Sequence, residues 1–178
     1  MVTTFDLLKW LLSPALFLSI LATGFRIFHT QPKIRLEVLK DRSSDQQCAG
    51  VLINSLSFKW HRRFILHNHS NYLARGIVLV SSLPNGMKFV SDLPTKLEAD
   101  DKFIVEVEAQ RLDVSRDELV QQYGNLLHVS GQLFGELFSK ISFQLSFKNK
   151  YGGRFYQMFQ IVGGQIASQV SWRKIKNP

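Results

Sequence analysis

Cysteine is almost missing from this chain. Cys48 is the only one in 178 residues, which excludes an intrachain disulfide framework and a multi-cysteine zinc site. Acidic residues are scarce as well, 14 against 22 Lys and Arg, and the formal net charge is +8. Dense basic runs are nevertheless absent. So are the signatures of reactive sites. Gly163-Gly164 has no Lys-Ser/Thr and no helix behind it, so it is not a phosphate loop. No nucleophile elbow built on serine and no paired-carboxylate constellation occurs. Asp100-Asp101 with Glu98 does not have the spacing of a calcium loop and reads as a turn carrying solvated charges.

What remains is a globular composition, 45% hydrophobic and 20% charged, which excludes a disordered chain. The length suits one domain of about 100–150 residues and an appendage. Fourteen phenylalanines favour strands and a sandwich-like core. The charge is uneven: residues 26–88 carry +7, residues 89–118 carry −5 and residues 119–178 carry +6. A basic surface with one acidic band can meet anionic lipid, nucleic acid or an acidic protein, or can be a solvated surface and nothing more.

Residues 10–25 hold no charge and lie between Lys9 and Arg26. Counted from Leu7 to Phe28, at ~1.5 Å per residue, the helix would be roughly 33 Å long, enough for a hydrocarbon core of about 30 Å. Its anchor residues are Trp10, Leu11, Leu12, Ala15, Leu16, Phe17, Leu18, Ser19, Ile20, Leu21, Ala22, Thr23 and Phe25. Pro14 would loosen its early turns. Ala15, Ser19 and Thr23 put small residues on one stripe, where a second helix could approach closely. A cleaved signal peptide ending near Ala22-Thr23-Gly24 and a buried helix are the competing readings. For a single-pass anchor, Arg26, Lys33, Arg35 and Lys40 outweigh Lys9 and favour a cytoplasmic carboxyl-terminal domain over a periplasmic or extracellular one. The expected organisation is an anchor with its flank at 1–32 and a β domain at 33–178.

Beyond Pro32 the pattern alternates. Ile34, Leu36 and Val38 share a face, and so do Leu56, Phe58 and Trp60. Further strands are expected at 63–67, 75–81 and 103–107, with a polar loop at 41–49 and a tight turn at Pro84-Asn85-Gly86. Ile141, Phe143, Leu145 and Phe147 point inward while Ser142 and Gln144 face solvent. A hairpin loop at Asn149–Gly153 leads to Phe155, Gln157, Phe159 and Ile161 on one face, and a last strand covers about 166–173. Ser115-Arg116-Asp117-Glu118 has the form of a capping box opening a short helix that ends at Gly124. The fold class is therefore mainly β: an antiparallel sandwich of eight or nine strands with one short inserted helix, preceded by a single transmembrane helix.

Asn68, the turn Leu83-Pro84-Asn85-Gly86, the run Phe103–Ala109 and the hairpin at 141–162 together resemble bacterial immunoglobulin-like or fibronectin-like β-sandwich modules. The likeness covers roughly 100 residues and rests mostly on turn chemistry. It departs from that pattern in lacking a Cys pair and in inserting the helix. Such modules act through surface contacts, and the resemblance carries over no catalytic residue and no cofactor.

Two clusters remain. His67 and His69 share a strand face, yet two ligands do not make a metal site, and polar groups at a strand end are the simpler reading. Trp60-His61-Arg62-Arg63-Phe64 interleaves cations with aromatics; with Lys59 it offers a basic patch of Lys59, Arg62 and Arg63. The expectation is a non-enzymatic, membrane-anchored interaction module with a protein partner, without metal or cofactor. The alternative is a basic cytoplasmic-face domain binding anionic lipid or, less favoured, nucleic acid.

Overall fold

The computed structural model describes residues 14–39, 46–51, 55–81, 83–84, 86–124, 132–133, 135–138, 140–163 and 165–174. Ten strands and two helices lie within them, and residues 132–133 and 135–138 are helical as well, beyond the one inserted helix expected from the sequence. The strands are β1 (Ile34–Val38), β2 (Gln46–Val51), β3 (Ser55–Asn68), β4 (Ala74–Leu79), β5 (Met87–Phe89), β6 (Lys96–Leu97), β7 (Lys102–Ser115), β8 (Lys140–Lys148), β9 (Arg154–Val162) and β10 (Gln165–Ser171). Helix α1 covers Pro14–His29 and α2 covers Arg116–Tyr123.

All pairing is antiparallel. One sheet runs β1-β3-β7-β5, with β2 beside the other half of β3; the second runs β10-β9-β8-β4-β6. The two sheets face each other across a single core. Alternation explains which side chains fill it, since period-2 strands deliver every second residue to one face. Trp60, Phe64, Leu66, Val105 and Val107 come from the first sheet, and Phe143, Leu145, Phe147, Phe155 and Phe159 from the second, all essentially inaccessible. Phe89 meets Phe143 edge-on at 5.5 Å, and Gln157 Nε2 donates to the Ile34 carbonyl at 2.6 Å, both across the gap between the sheets. Burying one such phenylalanine contributes roughly 1.5–3 kcal/mol.

Three expectations are corrected. The polar stretch at 41–49 is a strand from Gln46 onward, because the half of β3 that β1 does not reach still presents an edge of unpaired backbone groups; residues 41–45 lie outside the described residues. The runs at 56–60 and 63–67 are one 14-residue strand. His61 and Arg63 do not break it because Glu108 and Glu106 stand opposite them on β7. Gln144 is fully buried and Ser146 nearly so, whereas Ser142 is half-buried. β8 is the central strand of its sheet and is covered on both sides at its middle. Both side-chain polar atoms of Gln144 are buried without a hydrogen-bond partner.

The inserted helix forms as expected, but Ser115 caps it without a side-chain hydrogen bond. Gly124 ends it with φ 71°, donating to the Val120 carbonyl. Leu119 is buried, while Val120 is exposed. The turn at Pro84 closes through Met87 N donating to the Pro84 carbonyl at 3.0 Å. Gly86 needs both its φ of 81° and its missing side chain there, since a Cβ would lie 2.6 Å from the Gln110 carbonyl oxygen.

No helix among the described residues is long and apolar enough to cross a membrane. α1 has 16 residues, about 24 Å at ~1.5 Å per residue. The anchor residues Trp10, Leu11 and Leu12 lie outside the described residues, as does the side chain of Ala15.

Candidate functional site

Two asparagines organise one end of the sandwich. Asn68, closing β3, is fully buried. Its amide donates to the carbonyls of Tyr72, Leu97 and Glu98, and its oxygen accepts from Ser70. Asn149, closing β8, is equally buried. Its oxygen accepts from the backbone of Tyr151 and Gly153, which folds the β8–β9 hairpin loop. Its amide donates outward, to the Ile27 carbonyl at 3.2 Å and to Thr30 Oγ1 at 2.9 Å. Thr30 Oγ1 in turn donates to the Arg26 carbonyl at 2.6 Å. The last turn of α1 is thus clamped to the hairpin, and its orphan carbonyls find donors there. Gly153 permits the contact: a Cβ would lie 2.5 Å from Ile27 Cγ2.

Away from this clamp α1 stands clear of the sandwich. Phe17, Leu18, Ile20 and Phe25 are each more than 60% exposed and Leu21 is 52% exposed. A contiguous apolar surface of this kind, rimmed by polar groups, marks an interaction site. Arg26 and His29 close the helix, and His29 packs against Phe25 with ring centres 3.8 Å apart. Around the hairpin, Tyr151 is exposed beneath Lys150, whose Nζ lies 5.0 Å from the ring centre. The end of the sandwich that holds α1 therefore presents an apolar rod set in a collar of cations and aromatics.

The basic patch expected from the sequence does not converge. Arg62 shares the core-facing side of β3 with Trp60 and Phe64. Its guanidinium lies 5.9 Å from the Phe64 ring centre and 5.6 Å from that of Phe138, and burial lowers its pKa. Lys59 and Arg63 occupy the opposite face. Lys59 Nζ is 2.6 Å from Glu108 Oε2, and Lys88 Nζ is 3.0 Å from Glu108 Oε1. Burial alone would raise Glu108, but hydrogen bonds from Lys59, Lys88 and Gln110, with the charge of Lys59, outweigh it and hold the carboxyl at about 2. His61 Nδ1 meets Glu106 at 2.7 Å.

His67 and His69 do come together, ring centres 4.5 Å apart. The two nitrogens of His67 face different carboxylates, Nδ1 to Glu37 at 3.3 Å and Nε2 to Asp100 at 2.8 Å. The hydrogen bond from His67, then its charge, lowers Asp100. No group of three or more His, Cys, Asp or Glu among the described residues is arranged to hold a metal ion.

No signal in the sequence pointed to Asn149 as the clamp, although the hairpin loop that contains it was legible from its two glycines. No family model, curated protein or solved structure matches the chain.

Proposed function

We propose that this chain is a non-enzymatic, single-pass membrane-anchored module whose Ig-like sandwich acts through contacts with a protein partner at that membrane. The observation that carries the reading is the clamped apolar helix. Five large apolar side chains of α1 are exposed while its last turn is fixed to a buried asparagine of the sandwich. A hydrocarbon phase is the occupant that suits a rod apolar over most of its surface, whose polar groups before Arg26 are only the hydroxyls of Ser19 and Thr23. The cations and aromatics at its foot suit a headgroup layer. In the sequence the uncharged run reaches back from Pro14 to Trp10. Confinement beside a partner raises effective concentration, so individually weak contacts suffice.

The full chain should stay with membranes through high salt and carbonate, and a chain beginning at Lys33 should not. Release of the full chain by carbonate would overturn the anchor. Arg26, Lys33 and Arg35 at the carboxyl end favour a cytoplasmic sandwich. Protease added to intact cells should then leave residues 33–178 uncut, and digestion from outside would reverse the sidedness.

A further inference from the structure

Four strands bring cations into one line on the outer face of the second sheet. Lys96 stands opposite Arg75, Arg75 opposite Lys148, and Lys148 opposite Arg154. Directly opposed side chains of antiparallel strands sit about 4.5–5.5 Å apart at Cβ, and like charges there repel. Lys96 is answered by Glu98 at 3.1 Å. Arg75, Lys148 and Arg154 form no ion pair with any described carboxylate. Arg75 commits one of its donors to the Lys150 carbonyl at 3.2 Å.

The three cations border a cleft of about 480 Å³. A β-bulge shapes it. Between Arg75 and Val78, β4 carries one residue more than β8, and Gly76 takes up the excess at φ 60°. A Cβ on Gly76 would meet nothing within 4 Å, so the glycine serves the backbone conformation and leaves the cleft open beside the cations. Ser146 lines the same cleft.

We propose that Arg75, Lys148 and Arg154 form a binding site for a phosphate group. Two guanidinium forks and one ammonium suit an anion with several oxygens, because Arg binds phosphate bidentately while Lys adds a compact charge. The cleft is larger than one phosphate, so the group arrives attached to something, as a lipid headgroup or as a soluble phosphate ester. Asn149, next to Lys148, is bonded to the foot of α1, which puts the cleft beside the collar. The lipid source rests on the membrane reading, whereas the phosphate site does not.

The test uses the full chain in neutral maltoside micelles, dialysed against radiolabelled inorganic phosphate. A second arm compares its melting temperature in phosphatidylcholine nanodiscs with and without phosphatidylglycerol. Saturable phosphate binding is expected, at least about tenfold weaker in the R75Q/R154Q double variant, since charge-assisted bonds are lost. A K140Q/R116Q control, which removes the same charge from exposed positions elsewhere, should bind like the parent. Phosphatidylglycerol should raise the melting temperature of the parent and of the control but not of R75Q/R154Q. Phosphate binding without a lipid effect supports the site and assigns it a soluble ester. A lipid effect without phosphate binding supports it with a headgroup as ligand. Absence of both, or equal loss in the control, overturns the site. Without ligand, R75Q/R154Q should melt no lower than the parent because repulsion is relieved; a lower melt would mark these cations as structural and overturn the proposal. Failure of the membrane reading alone would leave the dialysis result standing.

Discussion

The outer faces of the two sheets carry charge in opposite ways. On the β3–β7–β5 face, Lys59, His61 and Lys88 surround Glu108, with Glu106 alongside, so cation and anion alternate across the strands. On the β6–β4–β8–β9 face, Lys96, Arg75, Lys148 and Arg154 stand in a row that, among the described carboxylates, only Glu98 answers, at one end. The first arrangement is closed, each charge having its counterpart in the chain. The second is open, with no carboxylate among the described residues beside Arg75, Lys148 or Arg154. Charge density in sequence is a poor guide to which is which, because His61 and Arg63 fall in the closed face while Arg62 between them turns to the other side, and the open face is assembled from scattered residues.

The strongest way to break the contrast is to remove the anion of the closed face. Glu108→Ala leaves Lys59, Lys88 and His61 facing one another, and we expect a loss of about 2–4 kcal/mol in urea unfolding, less than for a wholly buried pair because the lysines reach solvent. A loss below roughly 1 kcal/mol would place this cluster with ordinary surface pairs.

Acid should do the same work reversibly. The Glu108 carboxyl titrates lower folded, at about 2, than unfolded, near its ordinary 4.5. Its contribution is therefore fully present above the unfolded value and is lost as pH falls from about 4.5 toward 2. Unfolding followed by circular dichroism should show this loss in the parent, with a reduced slope in Glu108→Ala.

A smaller effect is expected from Gln144, on the outer side of the open-faced sheet. Its amide is buried and unpartnered, so Gln144→Met, which keeps length and removes polarity, should gain about 1–2 kcal/mol. A loss of stability would mean that the amide has a use the fold depends on.

The smallest effect sharpens the comparison most. Arg75→Gln should change stability by no more than about 0.5 kcal/mol, toward stabilisation, because it thins a row of like charges. A drop comparable to that of Glu108→Ala would mean that the two faces do not differ in kind.

Much of the sandwich was legible because alternation and turn chemistry are local. Ile34–Val38, Ile141–Phe147 and Phe155–Ile161 announce their inner faces residue by residue, and Asn149–Gly153 announces its loop. What was not legible depends on neighbours remote in sequence. β2 exists because β3 had an edge to offer. β3 runs unbroken through three basic residues because β7 supplies two glutamates at the matching register. Gln144 is buried because its strand is central, and position within a sheet is not written in the strand itself. The candidate site suffers most. Lys59, Arg62 and Arg63 lie close in sequence yet split between two faces, whereas Arg75, Lys148 and Arg154 come from three strands and meet only after folding.

The joint between Asn149 and the last turn of α1 has a mechanical consequence. A flexible tether would let the sandwich swivel freely about the helix. Here two hydrogen bonds from one buried amide, and the contact of Ile27 on Gly153, leave no torsion to turn without breaking something. Rod and sandwich are geared together: a roll or tilt of the helix is passed to the β8–β9 hairpin and, through its ladders, to the whole second sheet.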